Sequence, residues 1–129
     1  MSDAKNDSVQ VDFDALLRAN IERVFNERNP VRRVAAIEDL YAPVPVLYEP
    51  VGIVRGREGI AKAAGDLLER FGPQFALVPD GSALGHDGLG VLRWHATGGP
   101  PGLAGLDIAE VVDGRIHRLW VMLSNDDGV

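Results

Sequence analysis

A chain of 129 residues has room for one domain with a real hydrophobic core. Its formal net charge of -6, with no stripe of Lys or Arg, argues against a nucleic-acid-binding surface. The absence of cysteine excludes disulfides and thiolate chemistry, and no apolar run reaches transmembrane length.

Residues 1–11 are polar, lack the apolar core of a signal peptide and read as a loose tail, so the expected location is the cytoplasm. From Asp12, which reads as a cap, the apolar residues Phe13, Leu17, Ile21, Val24 and Phe25 follow helical spacing. Asn29-Pro30 ends this helix and starts a second, with asparagine as cap and proline at the first helical position. The second helix uses Val34, Ile37 and Tyr41 and is stopped by Pro43 and Pro45. Val44–Glu49 reads as a first strand, at an edge or just entering a sheet because Pro45 lacks an amide donor. Pro50-Val51-Gly52 breaks it, and Ile53-Val54-Arg55 returns briefly. A third helix is predicted over Arg57–Phe71, with Gly72-Pro73 as its stop.

Beyond Pro73 the period becomes extended. Gln74–Pro79 is expected as a strand, Asp80-Gly81 as a turn and Ser82–Gly85 as a second short piece. His86-Asp87-Gly88 marks another turn before a strand over Leu89–Thr97, and Gly98–Gly102 is a loop. Two further strand-like runs flank Asp113-Gly114, the strongest hairpin signal in the chain. An acidic tail follows over 124–129. The domain is therefore expected over 12–123, as an α+β fold in which a strongly curved, largely antiparallel sheet wraps around helices. Glycines at 85, 88, 90, 102 and 105 fit a sheet that needs bends or bulges. Helices that only partly fill the concave side of such a sheet leave a pocket suited to a small, mostly apolar ligand.

Asp107 is the first chemical candidate. It shares a strand face with Gly105 and Ala109, so burial of that face buries a carboxyl group that must be bonded, paired or protonated. Glu49 ends the first strand; at the mouth of an apolar pocket, desolvation would raise its pKa into a range useful for proton transfer. Arg55 and Arg93 are candidates for pairing with these carboxylates or binding a ligand oxygen. By parity Arg93 and His95 share one face and Trp94 the other, and His95 is the candidate general base among the histidines. Tyr41, Tyr48, Leu119 and Val121 complete the expected substrate-binding set. Trp94, Trp120 and Met122 are expected on an outer sheet face, where large apolar groups invite a second copy of the chain. No metal-ligand spacing, dinucleotide loop or serine-hydrolase motif is present, so neither metal nor cofactor is expected.

Leu40-Tyr41-Ala42-Pro43, Tyr48-Glu49-Pro50, Val54-Arg55-Gly56-Arg57-Glu58-Gly59-Ile60, and Gly105-Leu106-Asp107 followed by Val112-Asp113-Gly114-Arg115-Ile116 resemble the nuclear transport factor 2-like superfamily, particularly its SnoaL-like polyketide cyclase branch. That resemblance implies a cone-shaped α+β barrel with a central pocket, commonly dimeric. It also implies one of several activities: cyclase, isomerase, dehydratase, epoxide hydrolase or noncatalytic binder. In the related ketosteroid isomerases a proton-carrying aspartate precedes Pro-Val-Gly; here Glu49 precedes Pro50-Val51-Gly52. Their protonated oxyanion-hole aspartate matches Asp107, whereas their first-helix tyrosine has no counterpart, the matching turn offering Ile21. The expected function is thus a cofactor-independent isomerase or cyclase acting on a small apolar carbonyl compound. The alternatives are a noncatalytic ligand-binding module and an epoxide hydrolase, the latter needing an arginine beside Asp107.

Overall fold

The first helix begins where the sequence places its cap. In the computed structural model, which describes residues 10–124, the Asp12 carboxylate accepts the Ala15 amide and α1 runs over Phe13–Asn20. Its Asp14 accepts the Ala83 amide at 2.7 Å, tying the helix to the sheet. The coil then widens into a π-turn over Ile21–Phe25, closed by the Asn26 amide on the Ile21 carbonyl at 2.8 Å. Asn26 exchanges two hydrogen bonds with the backbone of Leu77, each 2.9 Å, so this end of the helix is pinned to the sheet as well. Asn29 caps α2 (Pro30–Leu40) by accepting the Val31 and Arg32 amides, with Pro30 at the first helical position.

Tyr41 does not belong to α2, as its spacing suggests. The helix stops at Leu40, and β1 runs over Tyr41–Glu49, three residues earlier than predicted. Proline disfavours helical backbone in the residue before it, so Pro43 forces Ala42 to be extended and the chain leaves the helix early. The two prolines fall inside an irregular stretch between Tyr41 and Val46 in the pairing with the last strand. Arg57 donates to the Tyr41 and Ala42 carbonyls at 2.8 and 3.1 Å, satisfying groups this irregularity exposes.

After β2 (Gly52–Arg55), α3 covers Gly56–Phe71 and ends at Gly72, whose φ of +87° fits the predicted stop. Residues 76–86 form one strand, β3 (Ala76–His86), rather than two pieces. Its pairing slips between Asp80 and Leu84, so the left-handed Gly81 sits in a bulge and not in a turn. β4 (Leu89–Thr97), β5 (Ala104–Val112) and β6 (Arg115–Ser124) follow as a meander. Asp113-Gly114 makes the expected tight turn, both residues having positive φ. Ser124 closes β6 instead of opening a tail; the expected tails otherwise lie outside the described residues, save for 10 and 11.

The six strands are ordered β2-β1-β6-β5-β4-β3, with β1 parallel to β6 and every other pair antiparallel. The sheet is curved and unclosed, and the three helices fill its concave side as a cone-like α+β barrel. Leu17, Ile21 and Val24, then Ile37, Ile60 and Ala64, meet Leu47, Leu92, Ala109, Ile116 and Leu119 from the sheet, all of them buried. Gly85 and Gly90 are not bends. A Cβ at either would run into the Phe13 ring, so these glycines let α1 lie close against β3 and β4. No helix of the described residues is long and apolar enough to cross a membrane.

Candidate functional site

Asp107 is buried, as its place in an apolar strand implies, with 4 % of its surface exposed. It lies on β5 between Gly105 and Ala109, both buried on the same face. Gly105 stands opposite Trp94 of β4, and a Cβ there would collide with the Met122 carbonyl of β6 and come within 2.7 Å of the indole. The missing side chain opens the slot through which Trp94 reaches across and donates its Nε1–H to Asp107 Oδ1 at 2.9 Å. Indole nitrogen can only donate. It therefore holds Oδ1 as an acceptor and leaves Oδ2 to carry the proton when the group is neutral. Burial raises the Asp107 pKa to about 7, against a smaller opposing pull from the Trp94 bond.

Above Asp107 and Trp94 opens a cavity of about 340 Å³. Phe25, Leu67, Phe71, Phe75, Leu77, Leu103 and Val121 supply apolar walls, and Phe71 and Phe75 meet with ring centroids 4.8 Å apart. Glu49, Pro50, Val51, Arg70 and Leu123 form its mouth. Glu49 is half-buried there, and desolvation raises its pKa above the ordinary carboxylate value. Register explains how two residues so distant in sequence come together. Asp107 pairs with Val121, while Tyr48 pairs with Trp120, so the next residue, Glu49, comes beside Val121. The carboxylates thus stand on either side of Val121 across three adjacent strands, with backbones about 10 Å apart at the usual strand spacing.

Other expected site residues divide clearly. Val121 lines the cavity, whereas Leu119 is wholly buried core and is absent from its lining. Tyr41 is also fully buried; its hydroxyl donates to Asn20 Oδ1 at 2.6 Å. Burial, and then the charge of Asp107, push the Tyr41 phenol pKa well up. Tyr48 faces the other side of the sheet, stacked on Trp120 with centroids 5.0 Å apart and planes 12° from parallel. Arg55 is exposed at the end of β2.

Arg93 and His95 share a face as parity requires, but it is the outer one. His95 Nδ1 meets Asp80 Oδ1 at 2.8 Å on β3, away from the cavity. Neither Arg55 nor Arg93 lines the cavity. Trp94 corrects the expected outer apolar cluster. It faces inward because it shares its strand face with buried Leu92, while the polar Arg93 and His95 take the solvent side.

Sequence reasoning missed most of the wall and the cation at the mouth. Phe25, Leu67 and Phe71 carried a helical-stripe signal that reads equally as core, and Arg70, between Glu69 and Phe71, carried none. Among the described residues no group of three or more His, Cys, Asp or Glu is placed to hold a metal ion.

No curated protein matches the chain in sequence. Among solved structures, the fold is shared with a candidate isomerase of the SnoaL-like family from Agrobacterium tumefaciens at TM-score 0.78, with 21% identity over 86% of this chain and 96% of that one. A candidate ketosteroid isomerase from Kribbella flavida gives TM-score 0.67 and 19% identity, over 88% of this chain and 78% of the other. A candidate polyketide cyclase from Sinorhizobium meliloti gives 0.66 and 15%, over 84% and 94%. The family described as a SnoaL-like domain matches residues 17–119, from α1 to the middle of β6, and the chain belongs to that family.

Proposed function

We propose that this chain is a cofactor-independent acid–base enzyme that isomerises or cyclises a small, mostly apolar carbonyl compound. The observation that carries the reading is that Glu49 and Asp107 line one apolar cavity. Their environments differ, which separates the tasks they can perform. Glu49, partly solvated at the mouth, takes a proton from the carbon beside the carbonyl. Neutral Asp107, through Oδ2, donates a hydrogen bond to the oxygen on which negative charge develops. Return of the proton from Glu49 to a different carbon completes an isomerisation. Attack of the enolate carbon on a second carbonyl of the same molecule, with protonation of the new alkoxide, completes a cyclisation. The names of the similar solved structures, isomerase and cyclase, support this class without choosing within it.

The test is a screen of unconjugated enones and linear polyketones against the native protein and the variants Glu49→Gln and Asp107→Leu. Loss of the base is expected to cut turnover by about 10²–10⁴-fold, and loss of the oxygen-side donor by about 10²–10³-fold. Substrate affinity should change much less in either. Binding without turnover by the native protein, across the screen, would make the chain a noncatalytic binder instead. The same reading includes a second copy of the chain on the outer sheet face, around Trp120 and Met122.

A further inference from the structure

Three ionisable residues line the cavity, and their placement is asymmetric. Asp107 lies at the floor and Glu49 at the mouth, both acidic; Arg70, also at the mouth, is the one cation of the lining. Arg70 is exposed, in the last turn of α3, and its guanidinium carbon lies 5.3 Å from the centre of the Phe71 ring. Phe71 in turn packs on Phe75, so the cation is seated at the top of the aromatic wall of the cavity. Among the described residues Arg70 has no ion-pair partner, although most other arginines of the chain are bonded to carboxylates or to backbone carbonyls. Beside it the mouth is apolar and open: Val51 is 93% exposed and Leu123 52%.

We infer that Arg70 selects the substrate class: an amphipathic carboxylic acid whose apolar, carbonyl-bearing part fills the cavity and whose carboxylate remains at the mouth. The inference deepens the proposed function, resting on it only for which end of the ligand goes in. A carboxylate cannot settle on the floor beside Asp107, where burial already disfavours charge. At the mouth, a planar guanidinium fork with free donors matches a planar carboxylate. The cavity, on the order of ten water volumes, takes the body of such a molecule and leaves its head outside. A basic residue in the last turn of a helix also complements the helix dipole. That role accounts for the sign of the charge but not for its place on the cavity rim, and it makes no demand on the ligand.

The experiment compares two probes of the same shape, naphthalene-2-acetate and naphthalene-2-acetamide, by calorimetric titration at pH 6 and low salt. The native protein, Arg70→Gln and Asp107→Asn are each titrated with both. The acid is expected to bind the native protein about five- to tenfold more tightly than the amide. That ratio should fall to about one in Arg70→Gln, persist in Asp107→Asn and shrink as salt is added. Equal or weaker binding of the acid by the native protein, no saturable binding of the acid, or an undiminished ratio in Arg70→Gln overturns the inference. Because the measurement is at equilibrium, failure of the catalytic reading leaves the ratio untouched, and the two are judged separately.

Discussion

Asp107 costs the folded protein more when charged than when neutral, and the sign of its effect on stability follows. In the folded chain its pKa is about 7, raised by burial from an ordinary 3.8. Between those values the folded state binds more protons than the unfolded one, so stability falls as pH rises from about 4 to 7 and levels off above. The full shift corresponds to on the order of 4 kcal/mol. Asparagine keeps an oxygen to accept the Trp94 bond but cannot ionise. Urea midpoints at pH 5 and pH 8 are therefore expected to differ in the native protein and to differ much less in Asp107→Asn, where only the smaller contribution of the desolvated Glu49 remains; a native protein equally stable at both values would contradict the burial of an ionisable group here. Neutral Asp107 is also the form that donates to substrate, so kcat/KM should fall above about pH 7 and that limb should vanish in Asp107→Asn. This much was legible in the sequence, since an aspartate in an apolar strand can be recognised by parity alone. The direction in which Trp94 faces was not. Parity separates it from Arg93 and His95 but does not by itself say which face is inside; Leu92 takes that face into the core, and the slot at Gly105, two strand positions from the carboxylate it serves, gives the indole room there.

At the scale of elements, capping and turn chemistry carried most of the fold. Asp12, Asn29, Gly72 and Asp113-Gly114 act through local hydrogen bonds or backbone angles, and each marks the boundary expected of it. Boundaries set by tertiary pairing were less legible. Pro43 takes the chain out of the helix locally, but that Tyr41 and Ala42 then join a strand depends on partners on β6 and on Arg57, which the local pattern does not show. The π-turn at Ile21–Phe25 had no signal, yet it brings Phe25 to the cavity. Gly105 illustrates the same point and is testable. It was expected to serve bending, whereas it makes room for the Met122 carbonyl of β6 and for the Trp94 side chain of β4. Replacing it with alanine should crowd the Met122 carbonyl of β6 and push Trp94 from its slot, at a cost of about 1–3 kcal/mol from overpacking. The loss of the indole bond should also raise the Asp107 pKa further. Denaturant midpoints and the upper limb of the pH–rate profile check both effects, and Gly85→Ala, which crowds Phe13 instead, is expected to destabilise without moving that limb.

Across the whole molecule, the two faces of the sheet carry different loads. The concave face holds the core and the cavity. On the outer face a row of apolar side chains crosses every strand in register: Ile53, Tyr48, Trp120, Ile108, Val91 and Leu84. Met122 and Leu106 flank it as a cross-strand pair. Among the described residues no helix covers this row, since the helices pack into the core on the concave face. Such a row on one face of a curved sheet is self-complementary under a two-fold axis, because the same surface serves both partners. The proposed pairing therefore predicts a sedimenting mass twice the 13.9 kDa of the chain. Trp120→Glu, which sets a charge at the centre of the row, should yield a folded monomer. Trp120 and the cavity lie on opposite faces, so that monomer should bind the naphthalene probes with the native acid preference. A native protein that sediments as a monomer would remove the second copy from the proposal. A Trp120→Glu dimer would move the interface elsewhere. A monomer that loses the acid preference would mean that dimer contacts shape the cavity mouth through β1 and β6, the two strands that carry both the Tyr48–Trp120 stack and the cavity residues Glu49 and Val121.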